Sequence, residues 1–175
     1  MAVQSTNTDC SNEMRTILVG VGDFKASRTP CTIIKTMALG SCVAVVLLEP
    51  KTRCIGMVHV ALPDSSINQQ RSKDTPGYFA DTGISALVQE MEDIGCDANR
   101  RGWIVKMAGG ANVADANHVF NVGKRNIIAV KKALWNLRMA PRSEDIGKNF
   151  SRTVSVDIRT GVITISCPGR GTWRL

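Results

Sequence analysis

The sequence predicts an α+β fold, an α/β sandwich with a mostly antiparallel sheet and two main helices. Three observations point to it. Short β-branched or apolar runs recur along the chain, two longer stretches space their apolar residues at helical intervals, and the strands come in runs rather than alternating regularly with helices. A length of 175 residues, 43% of them hydrophobic and 21% charged, suits one domain.

Residues 1–14 are polar and are expected to form a flexible tail, leaving 15–175 as a single domain. Residues 15–21 and 32–37 read as strands. Leu39-Gly40-Ser41-Cys42 is a small-residue turn, and the apolar run 43–48 follows. Glu49-Pro50-Lys51-Thr52 breaks it before residues 55–62 resume, the pattern of a β-hairpin whose strands are buried on both faces. The polar stretch 68–77 reads as a loop carrying Arg71 and Lys73. Ile84, Leu87, Val88, Met91 and Ile94 mark a helix over 79–94, stopped by Gly95. Residues 103–107 form a strand, 108–111 a flexible turn, and Ile127, Val130, Leu134 and Leu137 a second amphipathic helix over 124–138. A hairpin of 152–158 and 162–167 closes the fold.

Composition narrows the function. No apolar run is long enough to span a bilayer, and residues 1–14 lack the apolar centre of an export signal, so a cytoplasmic location is expected. The net charge of +7 favours an acidic partner. The basic residues are scattered and aromatics make up only 5%, which argues against nucleic acid. Six cysteines, at 10, 31, 42, 54, 96 and 167, form no CxxC pair, so free thiols and no metal site are expected.

There are two histidines, His59 and His118. Cys42 opens one predicted strand and His59, seventeen residues later, nears the end of the next. Counted from the Pro50–Arg53 turn, their registers agree within about two residues, normal boundary error, so the hairpin brings thiol and imidazole together. A free thiol is only about 3% thiolate at neutral pH; a neighbouring imidazolium supplies the nucleophile and later protonates a leaving amine. Gly40 and Ser41 leave room for substrate, and their turn can offer N–H groups to an oxyanion. Thr36 can orient the imidazole, with Asp64 as the rival. His118, in a polar stretch, reads as a surface or structural residue. These residues alone indicate a thiol hydrolase and leave its substrate open.

Thr36-Met37-Ala38-Leu39-Gly40-Ser41-Cys42-Val43-Ala44-Val45 resembles the active-site segment of the CheD family of chemoreceptor glutamine deamidases, and Gly56-Met57-Val58-His59-Val60-Ala61-Leu62-Pro63-Asp64-Ser65 its second segment. Lys106-Met107-Ala108-Gly109-Gly110-Ala111-Asn112 and Val122-Gly123-Lys124-Arg125-Asn126 are similar to two more. Ala108 stands where the family usually has an aromatic, and Asp145-Ile146-Gly147-Lys148-Asn149-Phe150-Ser151-Arg152 lacks one glycine of the usual pattern and has Ser151 in place of another. The resemblance implies a fold similar to the cytotoxic necrotizing factor deamidase domain. It makes Cys42 the nucleophile, His59 the general base and acid, and Thr36 the third member. It implies no metal or organic cofactor, chemoreceptor cytoplasmic domains as substrate and a CheC-type phosphatase as partner. A non-catalytic adaptor, or a receptor glutamate methylesterase using the same thiol, is the alternative.

Overall fold

The hairpin predicted from the two apolar runs forms the middle of the molecule. In a computed structural model that describes residues 14–113 and 121–175, Val43–Glu49 and Cys54–Val60 pair antiparallel, and every residue of both strands is buried. Strands buried on both faces need a layer on each side. One side is covered by helices and the other by a second sheet.

In chain order the elements are β1 (Arg15–Leu18), β2 (Phe24–Ser27), β3 (Thr32–Leu39), β4 (Val43–Glu49), β5 (Cys54–Val60), α1 (Gln69–Asp74), α2 (Ala80–Asp93), β6 (Ile104–Gly109), α3 (Val122–Asn136), β7 (Pro141–Ile146), β8 (Arg152–Asp157), β9 (Ile163–Cys167) and β10 (Gly171–Arg174). They make an α+β fold with two five-stranded sheets, ordered β1-β3-β8-β9-β10 and β2-β5-β4-β6-β7. All pairings are antiparallel except β1 with β3 and β6 with β7.

Side-chain alternation along β4 and β5 feeds two cores. Val43, Val45, Leu47, Cys54, Val58 and Val60 face α2 and α3. Ala44, Val46, Leu48, Ile55 and Met57 face the other sheet, where Ile34, Val154, Val156 and Ile165 meet them. α2 stops where expected. Gly95 adopts φ +97°, and the Cys96 N–H bonds back to the Met91 carbonyl.

Three strands were not anticipated. β2, β7 and β10 are short and only partly buried, so they lack a clear alternating pattern. The predicted loop 68–77 is mostly helical, with α1 capped by the Asn68 side chain and the Arg71 guanidinium stacked 3.7 Å above the Tyr78 ring. Of the expected tail, only Met14 falls among the described residues.

Candidate active site

His59 lies near the end of β5 on the face that meets the second sheet, and it is only 2% exposed. Its Nδ1 is 2.7 Å from the hydroxyl of Thr36 on β3. That hydroxyl has one proton, and it donates it to the Val19 carbonyl at 2.7 Å. Thr36 can therefore only accept from His59, which fixes the neutral imidazole as the Nδ1–H tautomer. Nε2 is left with a free lone pair, buried and without a hydrogen-bond partner. Thr36 faces inward in the same alternation as Thr32 and Ile34, and a bulge follows it before Leu39, with Ala38 at φ +57°. The extra residue lets Thr36 and Leu39, three apart, both face the core.

Cys42 sits one residue before β4. His59 pairs directly with Ala44, so Cys42, two residues from Ala44, shares its face and is the diagonal neighbour of His59. It packs at the edge of the core between the sheets and remains partly exposed. Cys54 cannot take this role. It lies five residues from His59 on the same strand, about 16 Å away at strand rise, and faces the helices.

The turn before Cys42 is held from below. The Gly40 carbonyl accepts from Ala111 N–H and the Cys42 carbonyl from Gly110 N–H, both at 2.7 Å, and the Ser41 carbonyl accepts from the Asn126 side chain at 2.9 Å. In a trans peptide the C=O and N–H point opposite ways. Inward carbonyls at Gly40 and Ser41 thus turn the N–H groups of Ser41 and Cys42 outward, where an oxyanion can be held. The segment 108–111, expected to be a flexible turn, is in fact the floor of the site. Sequence reading missed this role, although a Gly-Gly pair closing a strand is a visible signal. Gly109 adopts φ +111°, and a Cβ there would run into the Cys42 carbonyl oxygen. Gly109→Ala is expected to cost about 1–3 kcal/mol of stability and most of the activity, read by urea denaturation alongside turnover.

Burial governs the electrostatics. It raises the Cys42 thiol above its ordinary value, opposed in part by the residue's own backbone N–H. It lowers His59 from 6.5 to about 4, against the Val19 carbonyl and the charge of Asp23, which both raise it. At neutral pH the resting pair is thus a thiol beside a neutral imidazole, not the ion pair expected from sequence, because the histidine sits between two sheets. Between pH 6.5 and 4 the unfolded chain binds a proton at this histidine that the folded chain does not. Stability should therefore fall as pH drops through that window, by about 3 kcal/mol once below it. Urea midpoints from pH 8 to 4 check this, and His59→Gln should remove that part of the slope.

Asp64, the rival orienter, is exposed and caps the following turn by accepting from Ser66 N–H at 2.8 Å. His118 lies outside the described residues. Cys42, Cys54, Cys96 and Cys167 are free thiols, as expected. Cys31 is disulfide-bonded, contrary to expectation, since its spacing to the other cysteines carries no pairing signal. Among the described residues no group of three His, Cys, Asp or Glu could hold a metal ion, and no helix is long and apolar enough to cross a membrane.

Residues 61–167 match the family model described as CheD chemotactic sensory transduction. The chain belongs to the CheD family. Among its relatives, "Probable chemoreceptor glutamine deamidase CheD" of Syntrophotalea carbinolica is 52% identical over 162 residues, 93% of this chain and all of that protein. "Probable chemoreceptor glutamine deamidase CheD 1" of Syntrophus aciditrophicus is 39% identical over 89% of this chain and 96% of its own length. "Chemoreceptor glutamine deamidase CheD" of Thermotoga maritima is 36% identical over 88% of this chain and 93% of its own.

The segment that departs from the CheD pattern is well satisfied here. Buried Arg152 pairs with Asp145 at 3.0 Å and donates to the Gly147 carbonyl, while the Trp173 indole N–H donates to Asp145 at 2.7 Å. Lys148 and Phe150 from this segment, with Gly110, Val113 and Lys124, line a depression beside the Cys42 turn.

Proposed function

We propose that this chain is a chemoreceptor glutamine deamidase, an amidohydrolase that converts glutamine side chains on receptor cytoplasmic domains to glutamate with Cys42 as nucleophile. The observation that supports this best is the Val19–Thr36–His59 relay, which presents an unprotonated Nε2 on the face that Cys42 shares.

Cys42 rotates toward Nε2, and His59 takes the thiol proton as sulfur attacks the carboxamide carbon. The outward N–H groups of Ser41 and Cys42, in the Gly40-Ser41-Cys42 turn, receive the oxyanion. The imidazolium, held by Thr36, gives its proton to the departing ammonia. A thioester remains; His59 then draws a proton from water, which displaces the sulfur and leaves glutamate. The three residues need no metal or organic cofactor for this sequence. The depression carrying Lys124 and Lys148 suits an acidic receptor segment. A cytoplasmic location and a CheC-type phosphatase partner follow from the family resemblance, and co-purification with such a phosphatase tests the latter.

The function is tested by incubating the protein with receptor cytoplasmic fragments and following ammonia together with the amide-to-acid mass change at glutamines. Stoichiometric ammonia is expected. Methanol from methylated receptor, with no ammonia from the amide form, would assign an esterase instead; neither product would leave only an adaptor.

A further inference from the structure

Asn126 is fully buried on α3, on a face otherwise made of Gly123, Val130 and Leu134. Its side-chain NH2 donates to two backbone carbonyls, Ser41 at 2.9 Å and Ala61 at 2.8 Å. The assignment of nitrogen over oxygen is forced, since both partners are acceptors. Ser41 immediately precedes the nucleophile, and Ala61 lies two residues beyond the general base. The β4–β5 ladder has its last pair at Val43 and Val60. Beyond it the two chains have no direct bond, and the one carboxamide spans the gap.

We propose that Asn126 is a positioning residue, which sets Cys42 against His59 by tying the nucleophile's turn to the end of the histidine strand. The reading rests on the Cys42–His59 mechanism above. Two features separate this role from ordinary packing. The Asn126 carboxamide leaves its own Oδ1 buried without a partner and directs both N–H bonds to the nucleophile's turn and the end of the histidine strand. Besides satisfying two carbonyls that a leucine would leave unpaired, it thus ties together two segments that side-chain packing alone does not link. And α3 comes unusually close to the floor of the site: a Cβ on Gly123 would collide with the carbonyls of Gly110 and Ala111, the two residues whose N–H groups hold Cys42 and Gly40. That approach places Asn126, one turn later, beneath Ser41. By holding the Ser41 carbonyl inward it also turns the Cys42 N–H outward toward the developing oxyanion.

The test is the rate of Cys42 alkylation by iodoacetamide at neutral pH, followed by peptide mass spectrometry in the full chain, which needs no receptor. His59→Ala is expected to slow it roughly tenfold or more. Asn126→Ala, and Asn126→Leu, which preserves volume and helix propensity, should slow it severalfold. Combined with His59→Ala, either should add less than about twofold, because both act on one alignment. Val130→Ala, a cavity in the same helix, should destabilise the fold and leave the rate unchanged. In turnover, Asn126→Leu should lower kcat on the order of tenfold to a hundredfold with KM little changed. Wild-type alkylation in both Asn126 variants, a full multiplicative loss in the double variants, or an equal loss in Val130→Ala would overturn the positioning role. Wild-type alkylation in His59→Ala would overturn the mechanism beneath it, and the positioning role with it.

Discussion

Cys42→Ala is expected to lower kcat/KM for receptor glutamine by about 10^4-fold or more, with little change in stability. The thiol carries the covalent step, and no neighbouring group can replace it. Cys54 and Cys96 face the helix-side core, and Cys167 is buried on β9, separated from the Leu39 end of β3 by the intervening strand β8. Burial pushes the Cys54 thiol strongly upward, with Cys96 and Glu49 adding to the shift against Arg28, so it stays protonated and inert. Cys54→Ala should therefore keep activity within about twofold while costing on the order of 1 kcal/mol of stability through its cavity. The opposite pattern, with Cys54→Ala inactive and Cys42→Ala active, would move the nucleophile. Ammonia release and urea denaturation of both variants decide between them.

The second large effect belongs to His59. His59→Ala should lower kcat by about 10^3-fold, the middle of the range for a general acid–base. The pH profile carries more information than the size of the loss. With His59 held to about 4 and the thiol raised by burial, the free enzyme is in its active thiol–imidazole form from below pH 5 upward. The acid limb of kcat/KM should lie near pH 4 and not near 6.5. An acid limb at the ordinary imidazole value would mean that His59 is hydrated in solution. Replacing Thr36 with valine, which leaves the ring unanchored, offers a comparison within the same relay.

The central hairpin, both main helices and the closing β8–β9 pair were legible because burial on two faces, or on one stripe, writes a periodic pattern into the sequence. The division into two sheets was not. Nothing in the alternation of β3 or β8 says which sheet will carry it, and β2 and β10 have too few buried residues to alternate at all. In the site, the scarcity of histidines and the hairpin count brought Cys42 and His59 together, and the observed register agrees. Thr36 was legible as an orienter on the preceding strand, but only the family resemblance singled it out over Asp64, since sequence spacing does not say which side chain meets the ring. The Val19 carbonyl had no signal, because a backbone acceptor is indifferent to side-chain identity. Gly109 and Asn126 were visible as a glycine pair and as a polar residue interrupting an apolar stripe, but their partners lie far away in sequence.

The central claim is that the reaction passes through a covalent bond to one particular sulfur. Rapid mixing of the full chain with receptor fragment, acid quenching within the first turnover and peptide mass mapping measures this directly. The receptor glutamyl group is predicted in thioester linkage on Cys42. A first-turnover burst of ammonia with that group on another side chain, or on none, would contradict the account.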